Sequence, residues 1–130
     1  MKIAATIARY LLGLIFAFFG ANTLFHFLPN PPIPPGPVKD FTDVMFATHY
    51  IEVVGFFQFV PGILLLINRY VPLALTVLAA VIVNILTTHI FVMQGVGLFP
   101  MPILVVICWI LVFWRVRPAF AGIFQAKVVD

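Results

Sequence analysis

Serine is absent from this 130-residue chain, cysteine occurs once, and charged residues make up only 8% of it. The missing serine excludes a serine nucleophile. Cys108 has no charged neighbour in sequence to activate it, and it is expected to be a packing residue inside an apolar helix. A single cysteine also excludes an internal disulfide and a CxxC redox pair. So few charges cannot cover the surface of a water-soluble globule, and the sequence therefore predicts a membrane protein.

Long apolar segments fill most of the chain. Hydrophobic residues account for 64% of it, and the mean hydropathy is +1.20. Proline, glycine and the few charges leave four segments, at about residues 4–28, 48–67, 72–94 and 100–117, each near the roughly 20 residues that cross a bilayer. The first exceeds the apolar part of a signal peptide and is interpreted as a retained helix. We expect one all-α domain over residues 1–130, an integral membrane four-helix up-down bundle.

The positive charges lie almost entirely on one side of this predicted bundle. Four spans place the N-terminus, the second loop and the C-terminal tail on the same side, and these carry six of the seven Lys and Arg residues. Only Lys39 falls on the other side. An excess of Lys and Arg marks the cytoplasmic side. Both termini are therefore predicted to be cytoplasmic, in a multi-pass protein that is embedded in the lipid bilayer.

The stretch HFLPNPPIPPGP, residues 26–37, holds six of the eleven prolines. Proline fixes φ and lacks an N–H, so this stretch excludes helix and central strand and favours polyproline II. We predict a Pro-rich extracytoplasmic loop over residues 29–40, in which residues 29–37 fold as a strap across the mouth formed by the first three helices. A rigid spacer that covers no pocket is the alternative. Residues 41–48 either extend the second helix or lie on the membrane surface.

Small residues in the first segment predict one close helix contact. Gly13, Ala17 and Gly20 follow one another at spacings of four and three, which brings them onto one stripe of a helix. Such a stripe lets the backbone of another helix approach closely.

Polar side chains within the segments gather toward the predicted outer half. We interpret seven of them as a candidate outer-face polar pocket: Asn22, His26, His49, Glu52, Gln58, Asn84 and His89. Glu52 is the most informative, because a carboxylate at membrane depth normally faces the bundle and has a partner. Its partner is expected to be His49, His89, Asn22 or Asn84.

Three interpretations of these residues stay open. In the first, the amide side chains form hydrogen bonds between helices, and Glu52 and the histidines lie in the hydrated headgroup zone. In the second, Glu52 and His49 or His89 form a proton-exchanging pocket for a small amphiphile such as a quinone. In the third, the three histidines hold a metal or haem, but no two of them have i, i+4 spacing, and we predict no metal. The sequence shows no catalytic motif, nucleotide-binding motif or nucleic-acid-binding pattern.

Several stretches resemble a known family. ARYLLGLIFAFFGANTLFHFLP, a Pro-rich outer loop, GFFQFVPGILLLINRYVPLALTVLAAVIVNI and TTHIF are similar, in order and hydropathy, to the DoxX-like family of small four-helix bacterial membrane proteins. Members often carry an acidic residue before the glycine and leucine run of the second helix, where this chain has Gln58. The resemblance implies a bacterial cytoplasmic membrane protein that is associated with redox assemblies, including quinone-linked oxidation of sulfur compounds in some relatives.

Two functions follow as expectations. The favoured one is a non-catalytic subunit or scaffold of a membrane assembly, without a cofactor, with other membrane subunits or further copies of the chain as partners. The alternative is a quinone-linked oxidoreductase component, in which quinone is the cofactor and Glu52 exchanges protons with a histidine at the outer face. Neither function involves nucleic acid.

Overall fold

A computed structural model describes residues 2–29, 32–97 and 99–127, and every regular element in these ranges is helical. The helices are α1 (Lys2–Phe25), α2 (Pro37–Ala47), α3 (Tyr50–Leu66), α4 (Val71–Thr87) and α5 (Met101–Val116). A π-helical turn, Thr88–Val92, extends α4, and a 3₁₀ helix, Arg117–Phe124, extends α5. The all-α prediction is thus confirmed for the described residues.

The first helix and the Pro-rich loop are both shorter than the sequence predicts. α1 ends at Phe25 rather than at residue 28, because His26 adopts a left-handed conformation with φ 53°. The predicted loop 29–40 ends at Gly36, since Pro37 begins α2, where the missing N–H of proline costs no helical hydrogen bond. The other predicted ends lie within two residues of the observed ones, once the π-helical turn is counted with α4.

A sharp bend separates α2 from α3. The two helix axes meet at 84° across residues 48 and 49, where His49 has a left-handed backbone with φ 61°. Residues 41–48 therefore do not extend the second span; most of them belong to α2, which runs across the end of α3. Lys39 on α2 donates a hydrogen bond from Nζ to Asp43 Oδ2 at 2.7 Å, and this bond raises the pKa of Lys39.

Three helical segments are long and apolar enough to cross a membrane, namely Lys2–Phe25, Val71–Val92 and Met101–Phe124. The bent pair α2 and α3 makes a fourth when it is counted as one broken span. α3 alone rises about 26 Å at 1.5 Å per residue, which is close to the thickness of the hydrocarbon core. The chain is therefore a membrane protein with three or four apolar spans.

Small residues bring α1 and α3 into direct backbone contact. A Cβ atom added to Gly20 would lie 2.5 Å from the backbone nitrogen of Phe59, and one added to Gly62 would lie 2.5 Å from that of Ala17. The predicted stripe Gly13, Ala17 and Gly20 is thus the packing face of α1. Residue numbers rise along α1 as they fall along α3, so the two helices are antiparallel.

The helices form a ring in which α1 packs on α3 and α5, and α4 packs on the same two. The largest side chains with no exposed surface are Leu12, Leu65, Leu75 and Leu78, and they lie toward the end where α3 turns into α4. At this end Arg9 donates from Nη1 to the Leu65 carbonyl at the C-terminus of α3. The core is therefore concentrated in one half of the molecule, which the charge distribution predicts to be the cytoplasmic half.

Candidate functional site

A cavity of about 1000 Å³ occupies the other half of the molecule, between α2, α3 and α4. Aliphatic and aromatic side chains form most of its wall, such as Phe41, Met45, Val54, Phe57, Val77 and Val81. None of the described lining residues is an Asp, Glu, Lys or Arg. The cavity is therefore an apolar site without formal charge, of a size typical for small-molecule pockets.

Three of the predicted site residues line this cavity, namely Gln58, Asn84 and His89. Asn84 donates from Nδ2 to the carbonyl of Ala80 at 3.0 Å. His89 Nδ1 lies 2.8 Å from the carbonyl of Ile85. A carbonyl only accepts, so Nδ1 carries the hydrogen and Nε2 is left as an acceptor in the neutral ring. Asn84 and His89 thus each retain a hydrogen-bonding atom that a ligand could use.

These polar groups are spread along the depth of the cavity. Gln58 lies eight residues from either end of α3, which is about 12 Å at 1.5 Å per residue. Measured from the start of α4 in the same way, Asn84 lies at about 20 Å and His89 at about 27 Å. Gln58 is therefore near the middle of the span, and His89 is at the outer end, in the π-helical turn.

Glu52 belongs to a second group with the other two histidines. Its Oε1 atom is 3.2 Å from His49 Nδ1 and 3.7 Å from His26 Nε2. The side chain of Glu52 is 42% exposed, so the carboxylate sits at the surface of the chain and not in a closed pocket. The His26 ring also packs near Phe46, with ring centroids 5.7 Å apart. Glu52 therefore links the end of α1 to the bend between α2 and α3.

Asn22 lies close to this second group and has a local role. Its Oδ1 accepts a hydrogen bond from the backbone N–H of Leu28 at 2.9 Å, and its backbone carbonyl accepts from the N–H of His26. Both bonds satisfy backbone groups where α1 ends. His49 is one of the four partners considered for Glu52, whereas His26 is an additional one.

The seven predicted residues therefore do not form one pocket, because α3 stands between the two groups. Gly55, one turn from Glu52, lies against Thr23 of α1, so this face of α3 is turned to α1. Val54 and Gln58 lie on the face that lines the cavity. Glu52 and His89, paired in one interpretation of the sequence, are thus on different sides of the helix.

The outer end of this cavity is closed by α2 and not by the predicted Pro-rich strap. None of the described residues of the Pro-rich segment, Pro29 and residues 32–36, lines the cavity; Asn30 and Pro31 lie outside the described residues. The helix α2 covers the cavity and contributes lining residues from Val38 to Met45. Its apolar residues Val38, Phe41 and Met45 follow one another at spacings of three and four, which is the signal in the sequence that could have identified it as an amphipathic surface helix.

Among the described residues, no three His, Cys, Asp or Glu side chains lie close enough together to hold a metal ion. The buried Cys108 packs in the hydrophobic core, as its position in an apolar segment predicts.

Comparison with protein families finds one match, to a family described as DoxX, over residues 4–95. The matched region contains α1 from residue 4 onward, all of α2 to α4, and every residue of both polar groups. Comparisons with curated proteins and with solved structures give no match.

Proposed function

Because the chain belongs to the DoxX family, as its sequence predicts, we propose that it is a non-catalytic subunit or scaffold of a membrane assembly such as a redox-linked one. The observation that carries this proposal is how the polar side chains are used. Asn22, Asn84 and His89 each bond to the backbone of their own chain. The bond of Asn22 lies at the end of α1, and those of Asn84 and His89 lie within a single helical segment, so each of these side chains already has a structural partner in the chain.

The proposed topology is a four-helix up-down bundle in the bacterial cytoplasmic membrane, with α3 as the second span, α2 across its outer end and both termini cytoplasmic. The antiparallel packing of α1 on α3 supports the alternation of direction. Arg9 lies over the ring of Tyr10 and Arg117 over that of Trp114, each at 4.3 Å from the ring centroid. Such pairs suit the headgroup layer. A reporter that is active only in the periplasm, fused after residue 130, is expected to be inactive; an active fusion would refute this topology.

The structural role can be tested on the membrane assembly that contains the chain. Asn84→Leu removes a bond to the backbone, and we expect it to reduce the amount of intact assembly on a native gel. The turnover rate per assembled complex should stay within about twofold of the wild type. Val83→Leu, at the exposed neighbouring position, is the matched control. A normal amount of assembly with a turnover rate reduced more than tenfold would contradict a non-catalytic role.

A quinone-linked component is the second candidate, and the cavity favours it. A bound quinone would supply two-electron redox chemistry. The apolar wall fits a prenyl tail and excludes water, and the Gln58 amide can donate to a carbonyl oxygen. His89, which lines the cavity, is then the residue that would exchange a proton, at Nε2, because Glu52 is on the other side of α3.

The lipid-soluble quinone content of the purified protein separates the two candidates. About one quinone per chain, reduced at least fivefold by His89→Phe, would favour the quinone-linked component. Less than about one quinone per ten chains is expected for the structural subunit.

A further inference from the structure

We infer that the cavity between α2, α3 and α4 is a binding site for an uncharged amphiphile with one apolar tail and a hydroxyl-bearing head group, which enters sideways from the outer half of the bilayer. The inference requires only that the chain spans the membrane, and it holds whether or not the chain is a structural subunit.

The cavity exists because α3 and α4 are packed closely at one end only. Four of the five buried residues of α4 lie between Val71 and Leu78, next to the turn that joins it to α3. Farther along, Ala80 and Asn84 are exposed and line the cavity. In the same half, α3 is held to α1 by Gly55 and cannot tilt toward α4 without losing that contact. A cleft therefore opens between α3 and α4 toward the outer side.

The position of α2 limits which molecules can occupy this cleft. α2 crosses the end of α3 at 84°, and Phe41 and Met45 of α2 close the outer end of the cavity. A spanning helix of a second copy, about 10–12 Å wide, would have to pass through α2. The occupant must therefore be a molecule that ends beneath α2, and α3 and α4 leave it a sideways path to the lipid.

The lining determines the charge of the head group. No described lining residue is an Asp, Glu, Lys or Arg, so an ion in the cavity would lose its hydration without gaining a charged partner. The phosphate of a phospholipid would likewise find no Lys or Arg partner among the described lining residues. The site therefore favours a head group without charge.

The hydrogen-bonding groups determine the chemistry of the head group. His89 uses Nδ1–H on the Ile85 carbonyl, so its Nε2 accepts from a ligand hydroxyl. Asn84 uses one N–H on Ala80, which leaves its Oδ1 as an acceptor and its second N–H as a donor. A hydroxyl both donates and accepts, so it matches these groups, and a simple hydrocarbon does not.

The test uses the purified full chain in phosphatidylcholine nanodiscs and a diazirine-bearing hexadecanol as the photoreactive probe. We expect cross-links on peptides of α3 and α4 that line the cavity. An excess of unlabelled hexadecanol should reduce them at least tenfold, while hexadecane and ionised palmitate should reduce them less than twofold. Asn84→Leu removes the amide that is expected to bond to the hydroxyl, and it should weaken competition by hexadecanol about fivefold, the effect of one hydrogen bond.

A pair of variants on α4 localises the binding. Ala80→Phe places a ring in the cavity and should reduce cross-linking about tenfold. Val83→Phe adds the same ring on a face that is 62% exposed and does not line the cavity, so it should stay within twofold of the wild type. Size-exclusion elution shows whether both variants are folded. If Ala80→Phe is not folded, the difference in competition between hexadecanol and hexadecane tests the inference by itself.

Three results would overturn the inference. They are equal competition by hexadecane and hexadecanol, equal labelling of cavity peptides by a photoreactive phosphatidylcholine, and cross-links from cavity residues to a second copy of the chain. If the membrane assembly forms normally without the chain, the structural role proposed above is refuted. The results of the cross-linking experiment do not depend on that outcome.

Discussion

The contact between α1 and α3 gives the sharpest test of the fold, through Gly62→Ala. The added methyl would lie 2.5 Å from Ala17 N, 2.9 Å from the Gly13 carbonyl oxygen and 3.0 Å from Ala17 Cα, whereas ordinary contact begins at 3.4 Å. The helices must therefore separate by about 0.9 Å, the difference between 3.4 and 2.5 Å. All three atoms belong to the backbone, so no side-chain rotation can relieve the clash.

The magnitude follows from two opposing effects. Overpacking of a close contact costs about 1–3 kcal/mol, and a clash with backbone belongs at the upper end of that range. Replacing a helical glycine by alanine returns about 1 kcal/mol of intrinsic helix stability. We therefore expect Gly62→Ala to lower the free energy of unfolding by about 2 kcal/mol. SDS-induced unfolding in mixed micelles, followed by the fluorescence of Trp109 and Trp114, measures this quantity.

Two comparisons make this prediction specific. Gly122→Ala is the matched control, since nothing lies within 4 Å of its added Cβ, and the free energy of unfolding should stay unchanged or rise by up to about 1 kcal/mol. Gly20→Ala alone should destabilise as Gly62→Ala does, because its Cβ meets the Phe59 backbone at 2.5 Å. Once the helices have separated, the second substitution meets less resistance, so the double variant should lose less than the sum. A Gly62→Ala protein as stable as the wild type would refute the close antiparallel packing.

Three further substitutions test single contacts by the same unfolding measurement. Arg9→Gln removes the guanidinium that bonds to the Leu65 carbonyl at the C-terminus of α3, and should lower the free energy of unfolding by about 2 kcal/mol; Arg9→Lys keeps the charge and should lose less, so equal losses would contradict the role of the bond. Trp109→Phe loses the indole N–H bond to the Leu75 carbonyl, 2.9 Å long, and should cost about 1 kcal/mol; no loss would show that this bond does not hold α5 to α4. Glu52→Gln should leave the free energy of unfolding almost unchanged, because the carboxylate is 42% exposed and exposed ion pairs contribute little; a loss as large as that of Arg9→Gln would indicate a buried pair.

Composition and local pattern determined the class of this protein and the position of its spans. Apolar runs of about 20 residues predict membrane helices whatever their neighbours are. The spacing of Gly13, Ala17 and Gly20 predicts a packing face because it depends on the period of one helix alone. These properties can be predicted because each is fixed within a single segment.

The tertiary structure decided which polar residues meet. Glu52 and Gln58 are six residues apart on α3, and the sequence shows that they point in different directions but not which neighbour each direction faces. Packing on α1 turned Glu52 toward His26 and left Gln58 in the cavity beneath α2. The bend at His49 arises in a similar way, from a left-handed residue that helical propensity does not predict. The rotation of a helix about its own axis, and the direction of the chain after a bend, depend on contacts with other segments, so the cavity could be found only in the folded chain.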